Sequence, residues 1–168
     1  MTPNLHAYIA RQAATWDDLL VFEIGAKAAP GQEHMCIGAI VEEGNRHIGL
    51  DVEDGRYVDY TVDITDISRE SDVADDIARA DVVLCLETLE HIPEFWRALE
   101  VFGWMKPGAT LIISVPTFGF GYHPHPVDCY RFHEDSVDAL MRGFFVEEVL
   151  RVTDTRMQET LVMRGVKR

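Results

Sequence analysis

Residues 21–32 read VFEIGAKAAPGQ, and the organisation of the whole chain turns on how this stretch is understood. With Leu19 and Leu20 before it, the stretch opens as an apolar run of strand length and breaks at Gly25. A strand running into a glycine turn is the usual entry to a nucleotide-binding βα unit. Here Lys27 and Ala29 stand where a G-x-G-x-G pattern carries its second and third glycines. Three readings are open: a cofactor loop with a variant backbone, the remnant of one, or an ordinary strand-to-helix corner.

Working outward, the N-terminal side predicts a short helix over 4–14 and the strand itself over 19–24. On the C-terminal side a helix is expected over 33–43, closed by Gly44, then a strand over 46–50 that delivers Asp51. A more alternating strand over 57–62 delivers Asp63, and a polar helix follows over 70–79. Residues 81–86 (DVVLCL) form a strand whose run after Asp81 is continuously apolar, as a strand covered on both faces must be. A helix over 93–105 carries Phe95, Trp96, Leu99, Phe102 and Trp104, expected as a core stripe, and Lys106-Pro107-Gly108 breaks it. A strand over 109–115, a helix over 134–141 and strands over 144–150 and 159–165 complete the pattern.

Alternating strands and helices predict an α/β Rossmann-like three-layer sandwich with a mostly parallel sheet. The last two strands have no helix-length segment between them, so they are expected to pair antiparallel.

A length of 168 residues bounds the answer to one domain over 1–168, with 1–18 as a short N-terminal helical segment. At 47% hydrophobic and 26% charged residues the chain has enough apolar matter for a core. No apolar run is long enough to span a membrane, and MTPNLHAYIARQ lacks a signal-peptide core, so a cytoplasmic protein is expected. Cys36, Cys85 and Cys129 are odd in number and widely spaced, which argues against a disulfide framework or a cysteine zinc site. A net charge of −14 without a lysine/arginine cluster argues against duplex nucleic acid. A small or neutral acceptor, a second copy or a partner chain fits better.

In open α/β sheets, ligands sit beyond the carboxyl ends of the strands. Glu23, Asp51, Asp63 and Glu87 all fall at or near such ends. An acid after the second strand suits a ribose diol, and Asp63 suits an exocyclic amine, because a carboxylate only accepts. Glu23 lies inside the apolar run and is expected to satisfy backbone amides of the following turn.

Glu23-Ile24-Gly25, IGLD, VDYTVD, LCLETLEHI, MKPGATLIISVP and HPVDCYRF follow one another in an order that resembles class I S-adenosylmethionine-dependent methyltransferases, in particular a small-molecule or glycan-type subgroup. The resemblance runs from Leu19 to near the C-terminus. It implies a seven-stranded sheet with the last hairpin antiparallel, and S-adenosylmethionine as cofactor. It places Gly25 and Ala26 beside the methionine portion, Asp51 on the ribose, Asp63 and Ile64 around the adenine, and Glu87 beside the reacting end. That cofactor carries no pyrophosphate, so later glycines are less needed than in a dinucleotide loop. Some relatives carry G-[AS]-[KR]-x-x-x-G, with the glycine delayed as Gly31 is here. Lys27 remains a cation placed near a sulfonium. A nicotinamide dehydrogenase is disfavoured, since G-x-G-x-x-G is missing. A cofactor-free, methyltransferase-like binding or assembly protein stays as the alternative.

Glu87, Glu90 and His91, at i, i+3 and i+4, suit a divalent ion, as in metal-linked quinone-pathway and small-RNA methyltransferases. A structural role for Glu90 and His91 is preferred. After the fifth strand, TFGFGYHPHPVDCYRF reads as a loop over the reacting end, where His91, His123 and His125 are candidate bases. Tyr122, Tyr130 and Arg131 are candidates to shape the site for a small-molecule or saccharide acceptor. His6, His34, His47 and His133 show no ligand-like spacing.

Overall fold

A computed structural model of the chain describes residues 1–28, 31–154 and 158–168. Five helices, α1 (Pro3–Ala13), α2 (Ile37–Val41), α3 (Asp72–Arg79), α4 (Phe95–Phe102) and α5 (Val137–Leu140), alternate with β1 (Leu20–Ile24), β2 (Arg46–Asp51), β3 (Tyr60–Thr61), β4 (Val82–Leu86), β5 (Thr110–Pro116), β6 (Phe144–Thr153) and β7 (Glu159–Lys167). The seven strands form one sheet in the order β3-β2-β1-β4-β5-β7-β6. β1 to β5 run parallel, and β7 inserts antiparallel between β5 and β6, as the missing crossover requires.

Pleating divides the core into two layers. Val21, Val82, Leu84 and Leu86 face α1 and α2 and join Leu5, Ile9, Ile37 and Val41. Phe22, Ile24, Val83 and Cys85 face α3, α4 and α5 and join Ile77, Phe102 and Leu140. Strand residues alternate between the layers because successive side chains point to opposite faces.

Several elements are shorter than expected. Residues 33–43 split into a 3₁₀ turn (Glu33–Met35) and α2, since Cys36 is extended at ψ 126°. Tyr57 sits in the left-handed region at φ +67°, so the chain is still turning where the third strand was expected, and β3 has only two residues. Residues 134–141 likewise begin as a 3₁₀ turn (Glu134–Ser136), with His133 at the N-cap and no side-chain cap bond. α4 buries Ala98, Val101 and Phe102, not Trp96, which is 51% exposed and lies outside the core stripe expected for it. Ala29 and Pro30 lie outside the described residues, so the second half of the glycine-loop question does too.

Candidate active site

Parallel registers bring three strand ends to one edge. Ile24 pairs with Leu50, and Asp51 pairs with Thr61, so Gly25, Asp51 and Asp63 follow adjacent strands at the same end of the sheet. The Gly25 and Ala26 amides both donate to the Leu50 carbonyl, at 2.8 and 3.0 Å. Gly25 has φ +79°, and a Cβ there would lie 2.1 Å from Thr88 Oγ1. Both the dihedral and the space demand glycine. Thr88 Oγ1 bridges the ends of β1 and β4 by donating to the Ile24 and Leu86 carbonyls.

Asp51 Oδ2 accepts from the Lys27 amide at 3.0 Å and Oδ1 from the Glu53 amide at 3.1 Å. A carboxylate has about four acceptor positions, so each oxygen retains one. The Lys27 ammonium pairs with Glu53 on the β2–β3 loop. Glu53 is held below the usual carboxylate range chiefly by Lys27. Asp63 caps the 3₁₀ turn Ile64–Asp66 through the Thr65 amide and hydroxyl, at 2.8 and 2.7 Å, and Ile64 is buried behind it.

Among the described residues, Glu23 binds no turn amide. It is buried and bonds His47 Nε2 at 2.8 Å, while the His47 ring meets Tyr57 edge-on. Burial pushes the Glu23 carboxyl up, and the His47 contact opposes that shift. The signal missed in the sequence is parity: Glu23 pairs with Gly49 and Val21 with His47, so His47 occupies the same face one pleat away.

Glu87 follows β4 at φ +48°, a conformation uncommon for a residue with a Cβ, held by its amide's bonds to the carbonyl and hydroxyl of Ser114. Its carboxylate turns away from Glu90. One oxygen accepts from Thr160 at 2.7 Å, and the other lies 3.1 Å from the Met1 ammonium.

Glu90 and His91 do come together, but their third neighbour is His123 rather than Glu87. The ligand atoms of Glu90, His91 and His123 lie within 4.8 Å of one another. Burial raises the Glu90 carboxyl above its ordinary range, and the Glu90 carboxylate in turn raises His123. The histidine loop is stapled internally. Asp128 holds Arg131 through two bonds of 2.5 and 2.7 Å and accepts the His123 amide at 2.8 Å. Arg131 also donates to the Phe120, Gly121 and Tyr130 carbonyls, and it keeps Asp128 well below the usual carboxylate range. Arg131 is therefore engaged by its own loop rather than free for an acceptor. Tyr130 is also tied down, its hydroxyl donating to the Pro93 carbonyl at 2.5 Å and its ring meeting Phe95 edge-on. Tyr122 stands 77% exposed, and His125 is exposed beside it on the loop.

The strand order, with β7 inserted antiparallel between β5 and β6, is that of a Rossmann-like methyltransferase fold. The chain is similar to the 1,6-didemethyltoxoflavin-N1-methyltransferase of Burkholderia thailandensis, solved with 1,6-didemethyltoxoflavin and S-adenosylhomocysteine, at 20% identity over 96% of this chain and 76% of that one, with a TM-score of 0.69. It is also similar to the magnesium protoporphyrin IX methyltransferase of Synechocystis PCC 6803 with bound SAM, at 16% identity over 98% and 76%, TM-score 0.65. A SAM-dependent methyltransferase from Archaeoglobus fulgidus matches at 14% identity over 97% and 93%, TM-score 0.68. No protein-family model matches the sequence, and no curated protein matches it.

Proposed function

We propose that the protein transfers a methyl group from S-adenosylmethionine to an oxygen or nitrogen of a small-molecule or saccharide acceptor. The observation that carries this reading is the alignment of Gly25, Asp51 and Asp63 along one edge of a sheet with methyltransferase strand order. The donor set suits the cofactor. Asp51 keeps acceptor capacity for a ribose diol beside a backbone turn that needs glycine, and Ile64 offers an apolar wall behind Asp63. Glu87, directly after β4, stands at the same edge of the sheet.

When bound, S-adenosylmethionine supplies an electrophilic methyl group on a sulfonium. The chain's own residues hold and align the partners and exclude water from the edge. Asp51 and Asp63 orient the nucleoside end, and Glu87 lies beside the reacting end. On the loop 117–132, exposed Phe118 and Tyr122 offer faces for a sugar or planar ring. His125, on the same loop and exposed, takes the proton from the acceptor; loss of such a base costs about 10²–10⁴-fold in rate.

A cofactor-free binding protein is the second reading. Thr88 fills the space beside Gly25, as expected if no ligand enters. Calorimetry with S-adenosylmethionine and S-adenosylhomocysteine separates the two. Micromolar binding that Asp51→Ala weakens supports the enzyme, and silence at millimolar ligand supports the scaffold.

A further inference from the structure

The corner after β4 and the loop that crosses it build a second centre, separate from the strand-end acids. Glu90 is fully buried, and among the described residues neither of its carboxylate oxygens has a hydrogen-bond partner. A buried carboxylate without donors is costly, so something must compensate it. The groups facing it are two imidazole nitrogens: His91 Nε2 at 3.7 Å and His123 Nε2 at 3.6 Å from Oε1. Both distances exceed a hydrogen bond. They approach the separation of two atoms that share one ion, since ligands about 2.1 Å from a common centre lie roughly 3.4 Å apart at the tetrahedral angle.

The opposite edge of each ring is already fixed. His91 Nδ1 lies 2.5 Å from the Val127 carbonyl, and His123 Nδ1 lies 3.0 Å from the Gly121 carbonyl. Asp128 Oδ2 stands 3.3 Å from the same His123 nitrogen. A carbonyl acceptor demands the proton on Nδ1, which leaves the Nε2 lone pair of each neutral ring aimed at Glu90. An outer acceptor on one nitrogen with the other free is the arrangement of metal-binding histidines.

We infer that Glu90, His91 and His123 bind one divalent transition cation of the zinc class. Two imidazoles and one carboxylate favour such an ion over Mg²⁺ or Ca²⁺, which prefer all-oxygen shells. The ion resolves the orphaned carboxylate and leaves a coordination position open. It also pins the loop 117–132 to the end of β4, because His123 belongs to the loop and the other two ligands to the corner. The inference does not depend on methyl transfer: nucleoside calorimetry reads the Asp51 edge, and a metal titration reads this centre, so either can fail alone.

The test uses the full chain without a histidine tag, stripped by chelator and titrated with zinc chloride by calorimetry. One equivalent should bind, with no comparable heat from magnesium chloride. Glu90→Gln, His91→Gln and His123→Gln should each weaken zinc by at least roughly tenfold, the loss seen even for outer partners of metal ligands. Glu87→Gln should leave zinc affinity unchanged. Long-range imidazole ¹⁵N spectra of the unmutated chain cover the case of a variant that does not fold: zinc should move the Nε2 signals of His91 and His123 and leave those of His125. Absence of saturable zinc binding, equal loss in Glu87→Gln, or unmoved His91 and His123 signals would overturn the assignment.

Discussion

The backbone amide of Lys27 donates to the carboxylate of Asp51, 24 residues further along the chain, at 3.0 Å. The turn after β1 is thereby held by the acid at the end of β2, and one carboxylate serves both the loop and the proposed ribose site. Asp51→Ala removes an acceptor from two amides at once. A charged hydrogen-bond acceptor of this kind contributes about 1.5–3 kcal/mol, so cofactor affinity should fall roughly 10–100-fold. Calorimetry on the folded variant measures it, and an unchanged affinity would contradict a ribose role for Asp51.

Glu53 neutralises Lys27, a cation beside the proposed cofactor edge. Glu53→Ala should therefore weaken S-adenosylmethionine relative to S-adenosylhomocysteine, which lacks the positive charge, while Lys27→Ala should leave their ratio near its original value. Competition binding of the two ligands at low ionic strength reads this difference, since screening would mask it at high salt.

At Gly25, φ +79° and the 2.1 Å approach of Thr88 both act against any side chain. Gly25→Ala should cost more than the ~1–2 kcal/mol of a left-handed alanine. Adding Thr88→Ala should recover the steric part and leave the dihedral part. A chemical-denaturation double-mutant cycle should show coupling of about 0.5–3 kcal/mol, and strict additivity would mean that the contact carries no energy.

Tyr60 donates to the buried carboxylate of Asp76 at 2.7 Å, and that bond, aided by burial, pushes the Tyr60 hydroxyl up to about 12. Tyr60→Phe leaves Asp76 with Arg79 as its remaining side-chain partner among the described residues, on a largely exposed guanidinium. A loss of about 1–3 kcal/mol in unfolding free energy is expected from leaving a buried acceptor underpaired.

The buried Glu23 carboxyl is raised, chiefly by desolvation. Its folded pKa lies above the unfolded one, so the stability it contributes is complete below the ordinary carboxylate range and drains away as pH rises through the folded value. Glu23→Gln should flatten that slope. Urea midpoints of both proteins from about pH 4 to 8 should diverge in favour of the variant as pH rises, and parallel curves would refute the linkage.

Much of the architecture was legible because it depends on near neighbours. The continuous apolar character of residues 82–86 marks β4 as covered on both faces, and the short link before β7 forces an antiparallel return. Element ends were less legible. β3 shrank because Tyr57 still turns, and the helix expected over 33–43 broke where Cys36 went extended. Trp96 fell outside the core because the buried stripe of α4 runs through Ala98, Val101 and Phe102.

By itself the sequence determined which residues stand at the strand ends, since period and turn chemistry are local and place Gly25, Asp51 and Asp63 without reference to the rest of the chain. Which side chains face one another was decided only by the tertiary structure. Glu87 meets Thr160, 73 residues away, and leaves the Glu90–His91 corner to His123. His47 claims Glu23, and Asp128 claims Arg131. The reason is physical: a buried charge takes whichever partner the packed layers bring within reach, and that reach is set by strand register and loop path rather than by spacing along the chain.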